Sequence, residues 1–294
     1  EYGKAFKDGQ INFNDQLDRV QDLNDRESLE QIKTRITELA GKGGGVVVFT
    51  PQNTSFSAKY ANKNKWLALQ LANLDMDELV GILPGLTEAQ QRVMDVAFRY
   101  WKEKYSAPHD IQDLMGLLNN LETLKLWDKL SPGESNALKE GSANIAAIRL
   151  RRMINEAQSF YSAAVGSPTD VRDMVGIPGQ PGRIVIIDLQ GLTDTARQLI
   201  VALISSELLK AAGNRQNPIR PAFIVYEEGH NFAPAGEITI SKNVIKRIAS
   251  EGRKFGVGFA IISQRPSKLD SDVTSQCNTI VAMRIKNPDD QRFI

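Results

Sequence analysis

Apolar runs alternate with amphipathic stretches along the last part of the chain. The pattern predicts strands at residues 184–188, 222–226, 257–263 and 278–284, with helices at residues 194–212 and 241–250. Uninterrupted apolar strands that alternate with helices are typical of a parallel sheet covered on both faces. A Gly- and Pro-rich stretch, residues 166–182, precedes the first of these strands and predicts a loop. We therefore expect an α/β fold with a mainly parallel sheet.

The middle of the chain, residues 66–165, has helical periodicity almost throughout. Thr87 and Gln90 match a capping box, the reciprocal side-chain pairing that begins many helices. Apolar positions at helical spacing follow it, and further helices are predicted at residues 111–118 and 137–161. This pattern predicts a helix-bundle subdomain inserted into the α/β domain.

The first segment, residues 1–65, is expected to share the α/β domain with residues 166–294. Ser28 and Gln31 match another capping box and predict a helix. Residues 46–51 form a short apolar run that ends at a proline and predicts a buried strand.

The composition is that of a soluble globular protein, with 41% hydrophobic and 24% charged residues. No apolar run approaches the roughly 18 residues that a membrane-spanning helix needs, and the amino terminus lacks the apolar core of a signal peptide. Cys277 is the only cysteine, so the chain can form neither an internal disulfide nor a cysteine-based zinc site. We expect a cytoplasmic protein without a membrane partner.

The charge of the chain is nearly balanced but unevenly placed. A net charge of +1, from 36 basic and 35 acidic residues, indicates no general affinity for nucleic acid. Residues 239–270, however, contain seven basic and two acidic residues, a local charge of +5. Such a concentration suits the phosphates of a nucleotide or of a nucleic acid backbone.

Two adjacent acids, Glu227 and Glu228, directly follow the strand predicted at residues 222–226. Ligands of parallel sheets bind beyond the carboxyl ends of the strands. In P-loop nucleotide hydrolases, an acid at this point helps to hold Mg²⁺, and a second can deprotonate the attacking water. A solvated acidic turn would give the same sequence. His230 has no metal-ligand partner at suitable spacing, so we expect a polar contact or a turn role for it.

Further polar residues lie near the neighbouring predicted strand. Gln264 follows it, where an amide can hydrogen-bond both a water and a phosphate oxygen, or only the loop backbone. Arg253 and Lys254 follow the helix predicted at residues 241–250 and lie between two glycines. Such a turn can present a guanidinium to a phosphate in the same or a neighbouring subunit. The attraction of cations to a helix carboxyl end would also explain them.

The glycine-rich motif that cradles phosphates, Gly-x-x-x-x-Gly-Lys-Ser/Thr, occurs nowhere in the chain. The glycines of residues 41–45 precede a strand instead of joining a strand to a helix. Either the nucleotide interpretation fails, or the loop precedes Glu1 and the fragment by itself is inactive.

Together these segments resemble the HerA family of hexameric DNA translocases, within the HerA/FtsK group of RecA-like ATPases. The similarity is strongest in FIVYEEGHNFAP, residues 223–234, and in EGRKFGVGFAIISQRPSKL, residues 251–269. It continues in RIVIIDLQGL, residues 183–192, and in SQCNTIVAMRIKNPDDQ, residues 275–291. EYG at residues 1–3 is similar to the end of the family's HGEYG element. The resemblance implies a RecA-like P-loop ATPase core whose N-terminal barrel and Walker A loop lie outside this chain.

The resemblance also implies roles for the residues that match the family motifs. Glu227 corresponds to the acid beside Mg²⁺, and Glu228 corresponds to the catalytic base. Arg253 corresponds to the arginine finger that reaches the nucleotide of the neighbouring subunit. Gln264 corresponds to a polar sensor of the nucleotide.

Basic residues next to these positions, Lys254 and Arg265, are expected to help bind the ATP phosphates. The family carries alanine where this chain has Gly229. We expect that change to relax the turn without removing either acid.

The implied function is ATP- and Mg²⁺-dependent translocation or unwinding of double-stranded DNA by a homo-hexamer. A NurA-type nuclease would be its partner in DNA-end resection. The alternatives are a conjugation or secretion motor of the TrwB type, a HerA-like antiviral defence ATPase, and a degenerate ATPase that serves as a scaffold. The intact set of acids, arginine and glutamine disfavours the scaffold.

Overall fold

A computed structural model describes most of the chain. The described residues are 6–7, 10–11, 31, 34, 45–52, 65–71, 74–104, 111–120, 140–161, 168–180 and 182–294. The strands are β1 (Phe6–Lys7), β2 (Gln10–Ile11), β3 (Gly45–Thr50), β4 (Lys65–Trp66), β5 (Arg183–Ile187), β6 (Ala222–Tyr226) and β7 (Val257–Ile261). The α-helices are α1 (Met76–Gly81), α2 (Glu88–Lys104), α3 (Ile111–Asn119), α4 (Glu140–Ala157), α5 (Val171–Val175), α6 (Asp194–Gly213), α7 (Lys242–Glu251), α8 (Ser271–Thr274) and α9 (Pro288–Phe293).

Parallel pairing dominates the strands. β3 lies between β4 and β5 in one sheet, and β6 pairs with β7 in another. Both pairs of long strands, β3 with β5 and β6 with β7, run parallel over five residues each. Only the short hairpin of β1 and β2 is antiparallel among the described strands. The predicted α/β class with a mainly parallel sheet is confirmed.

The helices predicted in the middle of the chain are present and pack on one another. Helices α2, α3 and α4 contact each other pairwise around a core that includes the fully buried Trp101. The capping box of α2 is formed, since Gln90 N donates to Thr87 Oγ1 at 3.4 Å and Thr87 N donates to Gln90 Oε1 at 3.0 Å. The assignment of residues 66–165 as an insertion stays a prediction.

Helix α6 connects the helical bundle to the sheets. Its buried residues occur on all sides, as expected for a helix covered all round. The apolar ones belong to one continuous core that also contains side chains of α2, α4, β3 and β7. At the surface, Lys210 of α6 forms ion pairs with Asp75 and Glu78 at the beginning of α1. No helix of the described residues is long and apolar enough to cross a membrane.

Two predictions from local pattern are wrong. Residues 278–284 form no strand, and Ile280, Val281 and Met283 are 68%, 84% and 85% exposed. Apolar alternation becomes a strand only beside a neighbour that pairs its backbone, and no described strand lies along this segment. The Gly- and Pro-rich stretch at residues 166–182 contains helix α5, because Asp170 caps it by accepting a hydrogen bond from Arg172 N.

The helix predicted from Ser28 lies outside the described residues, except that Gln31 and Thr34 are helical. The resemblance at residues 1–3 also lies outside them, as does all of the glycine-rich stretch 41–45 except its last residue.

A buried polar pair joins β6 to helix α6. Tyr226, 4% exposed, and Ser205, 2% exposed, share a hydrogen bond of 2.9 Å between their hydroxyl groups. Burial raises the pKa of the Tyr226 phenol, which therefore stays neutral in the folded protein.

We predict that Tyr226→Phe lowers the free energy of unfolding at pH 7 by about 1–2 kcal/mol, because Ser205 loses this buried partner. An unfolded tyrosine ionises near pH 10, whereas folded Tyr226 does not. The contribution of Tyr226 is therefore fully present below about pH 10 and is lost as the pH rises further. Urea denaturation of both proteins at pH 7 and above pH 10 should show the stability difference shrinking. A difference that does not depend on pH would contradict this account.

Candidate active site at the carboxyl ends of β6 and β7

The structure brings Glu228 and Gln264 into direct contact. Parallel pairing places Tyr226, the last residue of β6, opposite Ile261, the last residue of β7. The register continues beyond the strands, since Gly229 N donates to the carbonyl of Ile262 at 2.8 Å. Gln264 Nε2 then donates to Glu228 Oε1 at 2.9 Å. Two strand ends that are far apart in sequence thus share one site.

The backbone of Glu228 is in the left-handed region, with φ 51° and ψ 44°. It is the only non-glycine residue with positive φ among the described residues. This conformation costs a side-chain-bearing residue about 1–2 kcal/mol, and such strain persists only where the surroundings enforce it. Here the flanking hydrogen bonds from Gly229 N to Ile262 O and from Ile262 N to Tyr226 O hold the turn.

Gly229 is required by a close approach to β7. A Cβ atom at this position would lie 2.1 Å from Ile261 Cγ1 and 2.5 Å from its Cδ1. The glycine therefore lets the acidic turn pack directly on Ile261, which differs from the relaxed turn expected from the sequence.

His230 lies next to both Glu228 and Ser263. The side chain of His230 is 17% exposed, and its Nδ1 lies 3.0 Å from Ser263 Oγ and 3.4 Å from Glu228 Oε2. Ser263 Oγ also accepts the backbone N–H of Arg265 at 3.0 Å. The polar contact expected for His230 is thus made with the site itself.

Glu227 is exposed. Among the described residues, no group of three or more His, Cys, Asp or Glu side chains comes together in a way that could hold a metal ion. A single exposed carboxylate nevertheless fits Mg²⁺, which commonly takes one or two carboxylates and completes its shell with phosphate and water oxygens.

Arg253 and Lys254 lie at the opposite edge of the sheet. They belong to a 3₁₀ turn, Gly252–Phe255, that precedes β7, whereas the acids follow β6. A five-residue strand spans about 16 Å, so one chain does not bring Arg253 to its own Glu228. Arg265, by contrast, follows Gln264 directly and is exposed at the same edge as the acids.

Part of the local positive charge is paired with acidic side chains of the same stretch. Lys242 Nζ lies 2.7 Å from Asp270 Oδ2, and Lys246 Nζ lies 3.2 Å from Asp270 Oδ1 and 2.7 Å from Asp272 Oδ2. Burial alone would raise the pKa of Asp270, but hydrogen bonds from the two lysines and from Asp272 N outweigh it and lower that pKa. The hydrogen bond to Asp272 in turn raises the pKa of Lys246. The exposed cations left for phosphates in this stretch include Arg253, Lys254, Arg265 and Lys268.

Sequence reasoning missed Gln198. Gln198 of α6 donates to Asn231 O at 3.0 Å and accepts from Ile240 N at 3.4 Å. These hydrogen bonds connect the turn after Glu228 to α6. Nothing in the sequence distinguishes it from other polar residues of a long helix. Asp188 follows β5, which pairs with β3 and not with β6, and its Oδ1 accepts from Gln190 N in a local turn.

The family model for "Helicase HerA, central domain" matches residues 1–208 of the chain. The chain belongs to the HerA family. The resemblance noted in the sequence is therefore confirmed. The acids, Arg253 and Gln264 lie beyond the matched span, and their roles stay predictions.

Curated relatives of this HerA-family chain carry the same family name. The DNA double-strand break repair helicase HerA of Pyrococcus furiosus is 27% identical over 86% of this chain and 53% of its own length. The protein of the same name from Sulfurisphaera tokodaii is 26% identical over 90% of this chain and 53% of its length. The chain thus spans about half the length of these relatives. Among solved structures, the bacterial conjugative coupling protein TrwB aligns with a TM-score of 0.46 at 11% identity, over 81% of this chain and 61% of that one.

We predict that Gly229→Ala destabilises the protein by about 1–3 kcal/mol, because the new methyl group overlaps Ile261. Ile261→Ala removes the two atoms that the methyl group would meet. The double variant should therefore be more stable than the sum of the single effects implies, by about 1–3 kcal/mol in a double-mutant cycle of urea denaturations. Additive effects would show that the close approach does not constrain the turn.

Proposed function

We propose that this HerA-family protein moves along double-stranded DNA as a homo-hexameric ring driven by ATP hydrolysis. In this proposal it acts with a NurA-type nuclease in DNA-end resection. The contact between Glu228 and Gln264, beside the exposed Glu227, is the observation that carries the proposal. Relatives named as DNA double-strand break repair helicases support the choice of substrate and pathway.

Glu228 serves as the general base. Its carboxylate accepts a proton from the water that attacks the terminal phosphate, and Gln264 fixes one of the two carboxylate oxygens. The left-handed turn aims the side chain across the end of β7 instead of along β6. The base is therefore positioned by backbone pairing before any nucleotide binds.

Glu227 provides the carboxylate for Mg²⁺, because it is exposed and has no part in the network around Glu228. When bound, Mg²⁺ neutralises charge on the nucleotide phosphates. Arg265 and Gln264, at the same edge of the sheet, bind phosphate oxygens of the same nucleotide. Arg253 and Lys254, at the other edge, serve the nucleotide of a neighbouring subunit.

This division of residues requires a head-to-tail interface. Arg253 lies at the amino ends of the strands and cannot reach Glu228 at the carboxyl ends of the same chain. The amino ends of β6 and β7 in one subunit therefore have to face the carboxyl ends of these strands in the next subunit. Repeated contacts between two different surfaces close into a ring when the rotation allows it. A ring also gives DNA a central path.

We predict that Glu228→Gln in the full-length protein lowers kcat for ATP by about 100-fold or more, because the neutral amide cannot accept the proton. The affinity for ATP should be retained, since Gln keeps the size of Glu. The measurement is steady-state ATP turnover and nucleotide binding, each with and without linear duplex DNA.

Glu88→Gln, an exposed substitution on α2, serves as the control and should leave turnover unchanged. Near-normal hydrolysis by Glu228→Gln would exclude this residue as the base. Wild-type turnover that duplex DNA does not stimulate would contradict the DNA motor.

We predict that Arg253→Ala abolishes turnover in uniform rings but that mixing restores it. Each active site takes its acids from one subunit and its arginine from the next. In equal mixtures with Glu228→Gln subunits, about half of the subunits carry each intact part, so about a quarter of the interfaces combine intact acids with an intact arginine. Turnover should therefore recover to about a quarter of the wild-type value. The measurement is ATP turnover after the subunits are mixed and reassembled.

Mixtures of Glu227→Gln with Glu228→Gln provide the matched control, because both substitutions affect the same side of the interface and no recovery is expected. Arg92→Ala on α2 controls for loss of surface charge. Failure of the Arg253→Ala mixture to recover would mean that Arg253 does not act between subunits.

A further inference from the structure

The two oxygens of the Glu228 carboxylate have different surroundings. Oε1 accepts the hydrogen bond from Gln264. Oε2 is buried and makes no hydrogen bond with the described residues, although His230 Nδ1 lies 3.4 Å away. Burial of a carboxylate oxygen without a hydrogen-bond partner costs free energy. The polar group of His230 beside Oε2 therefore affects how the Glu228 carboxylate is held.

The surroundings of His230 Nδ1 indicate which ring nitrogen carries the proton. Nδ1 faces Ser263 Oγ at 3.0 Å and Glu228 Oε2 at 3.4 Å. An unprotonated Nδ1 can accept a hydrogen bond from the Ser263 hydroxyl, but it then sets a ring lone pair beside the carboxylate of Glu228, which is repulsive. A protonated Nδ1 instead faces oxygens that can accept on both sides, because an ionised carboxylate only accepts and a serine hydroxyl accepts as well as donates. The arrangement therefore favours a proton on Nδ1.

Ser263 keeps the ring in this place. Its hydroxyl oxygen accepts the N–H of Arg265, so the serine is fixed to the loop that also carries Gln264. His230 itself lies in the 3₁₀ turn that follows Glu228. The histidine thus links the acidic turn to the loop after β7 by a second contact, parallel to the contact between Glu228 and Gln264.

We infer that His230, anchored by Ser263, is a positioning residue for the catalytic base. Its Nδ1–H lies 3.4 Å from Oε2 of Glu228 and attracts it electrostatically, while Gln264 donates a hydrogen bond to Oε1, so both carboxylate oxygens are restrained. This inference rests on the proposed role of Glu228 as the base. A base must lie within hydrogen-bond reach of the water it deprotonates, and a misplacement of 1 Å can cost on the order of 100-fold in rate.

The test replaces His230 with amide side chains that place an N–H near the position of only one of the two ring nitrogens. The amide of Asn can place an N–H near the position of Nδ1, whereas the amide of Gln extends to the position of Nε2. In the full-length protein, His230→Ala and His230→Gln should lower kcat for ATP by about tenfold, with KM changed less than about twofold. His230→Asn should retain kcat within about threefold of wild type. Ser263→Ala should lower kcat with KM unchanged, because the ring loses its anchor.

Thermal unfolding of each variant separates positioning from folding. The comparison of Asn with Gln stands even if His230→Ala is poorly folded, since both amides are polar and similar in size. Equal kcat for the Asn and Gln variants, or an effect on KM alone, would overturn the inference.

Glu228→Gln, measured in the same assay, distinguishes failure of the His230 inference from failure of the proposed function. If Glu228→Gln is inactive while all His230 variants turn over normally, only the role of His230 fails. If Glu228→Gln is active, the proposed function fails first.

Discussion

The close approach between the acidic turn and the end of β7 is the constraint on which the candidate site depends. Because Gly229 lacks a side chain, its N–H reaches Ile262 O and the turn packs against Ile261. The preceding residue, Glu228, has the left-handed conformation. The strained backbone then directs the carboxylate toward Gln264. The absence of a side chain at position 229 is thus a condition for the close contact between the acidic turn and Ile261.

Buried polar groups also hold the segment that follows the acidic turn. The hydroxyl groups of Thr239 and Ser241 both donate to Phe232 O at 2.8 Å. Lys242 Nζ donates to Pro234 O, and the same lysine forms an ion pair with Asp270, which is 7% exposed. A buried pair of this kind adds little net stability but is costly to break, so it favours one arrangement of the segment over others. Some of the positive charge that suggested phosphate binding therefore serves to hold the turn.

The two edges of the β6–β7 pair carry complementary halves of the proposed chemistry. Acids and amide lie at the carboxyl edge, and Arg253 lies at the amino edge, separated by the length of the strands. Within one chain this separation keeps Arg253 away from Glu228. In the proposed ring, the same separation would couple neighbouring subunits, because hydrolysis at one site would depend on the placement of Arg253 from the next subunit. The need for an arginine from another subunit thus follows from the length of the strands and not from any single side chain.

The sequence alone determined the elements whose signals are local. The apolar runs identified β3, β5, β6 and β7 to within two residues, and the pairing of Thr87 with Gln90 located the beginning of α2. It also identified Glu227, Glu228 and Gln264 as residues that follow strands. The segment at residues 278–284 shows the limit of such reasoning, because an apolar pattern records a preference for burial and not the presence of a pairing neighbour. Only the tertiary structure decided that Ile261 requires a glycine at 229, that His230 contacts Ser263, and that Gln198 supports the turn. Those contacts join residues more than thirty positions apart, and their geometry depends on the register of two parallel strands.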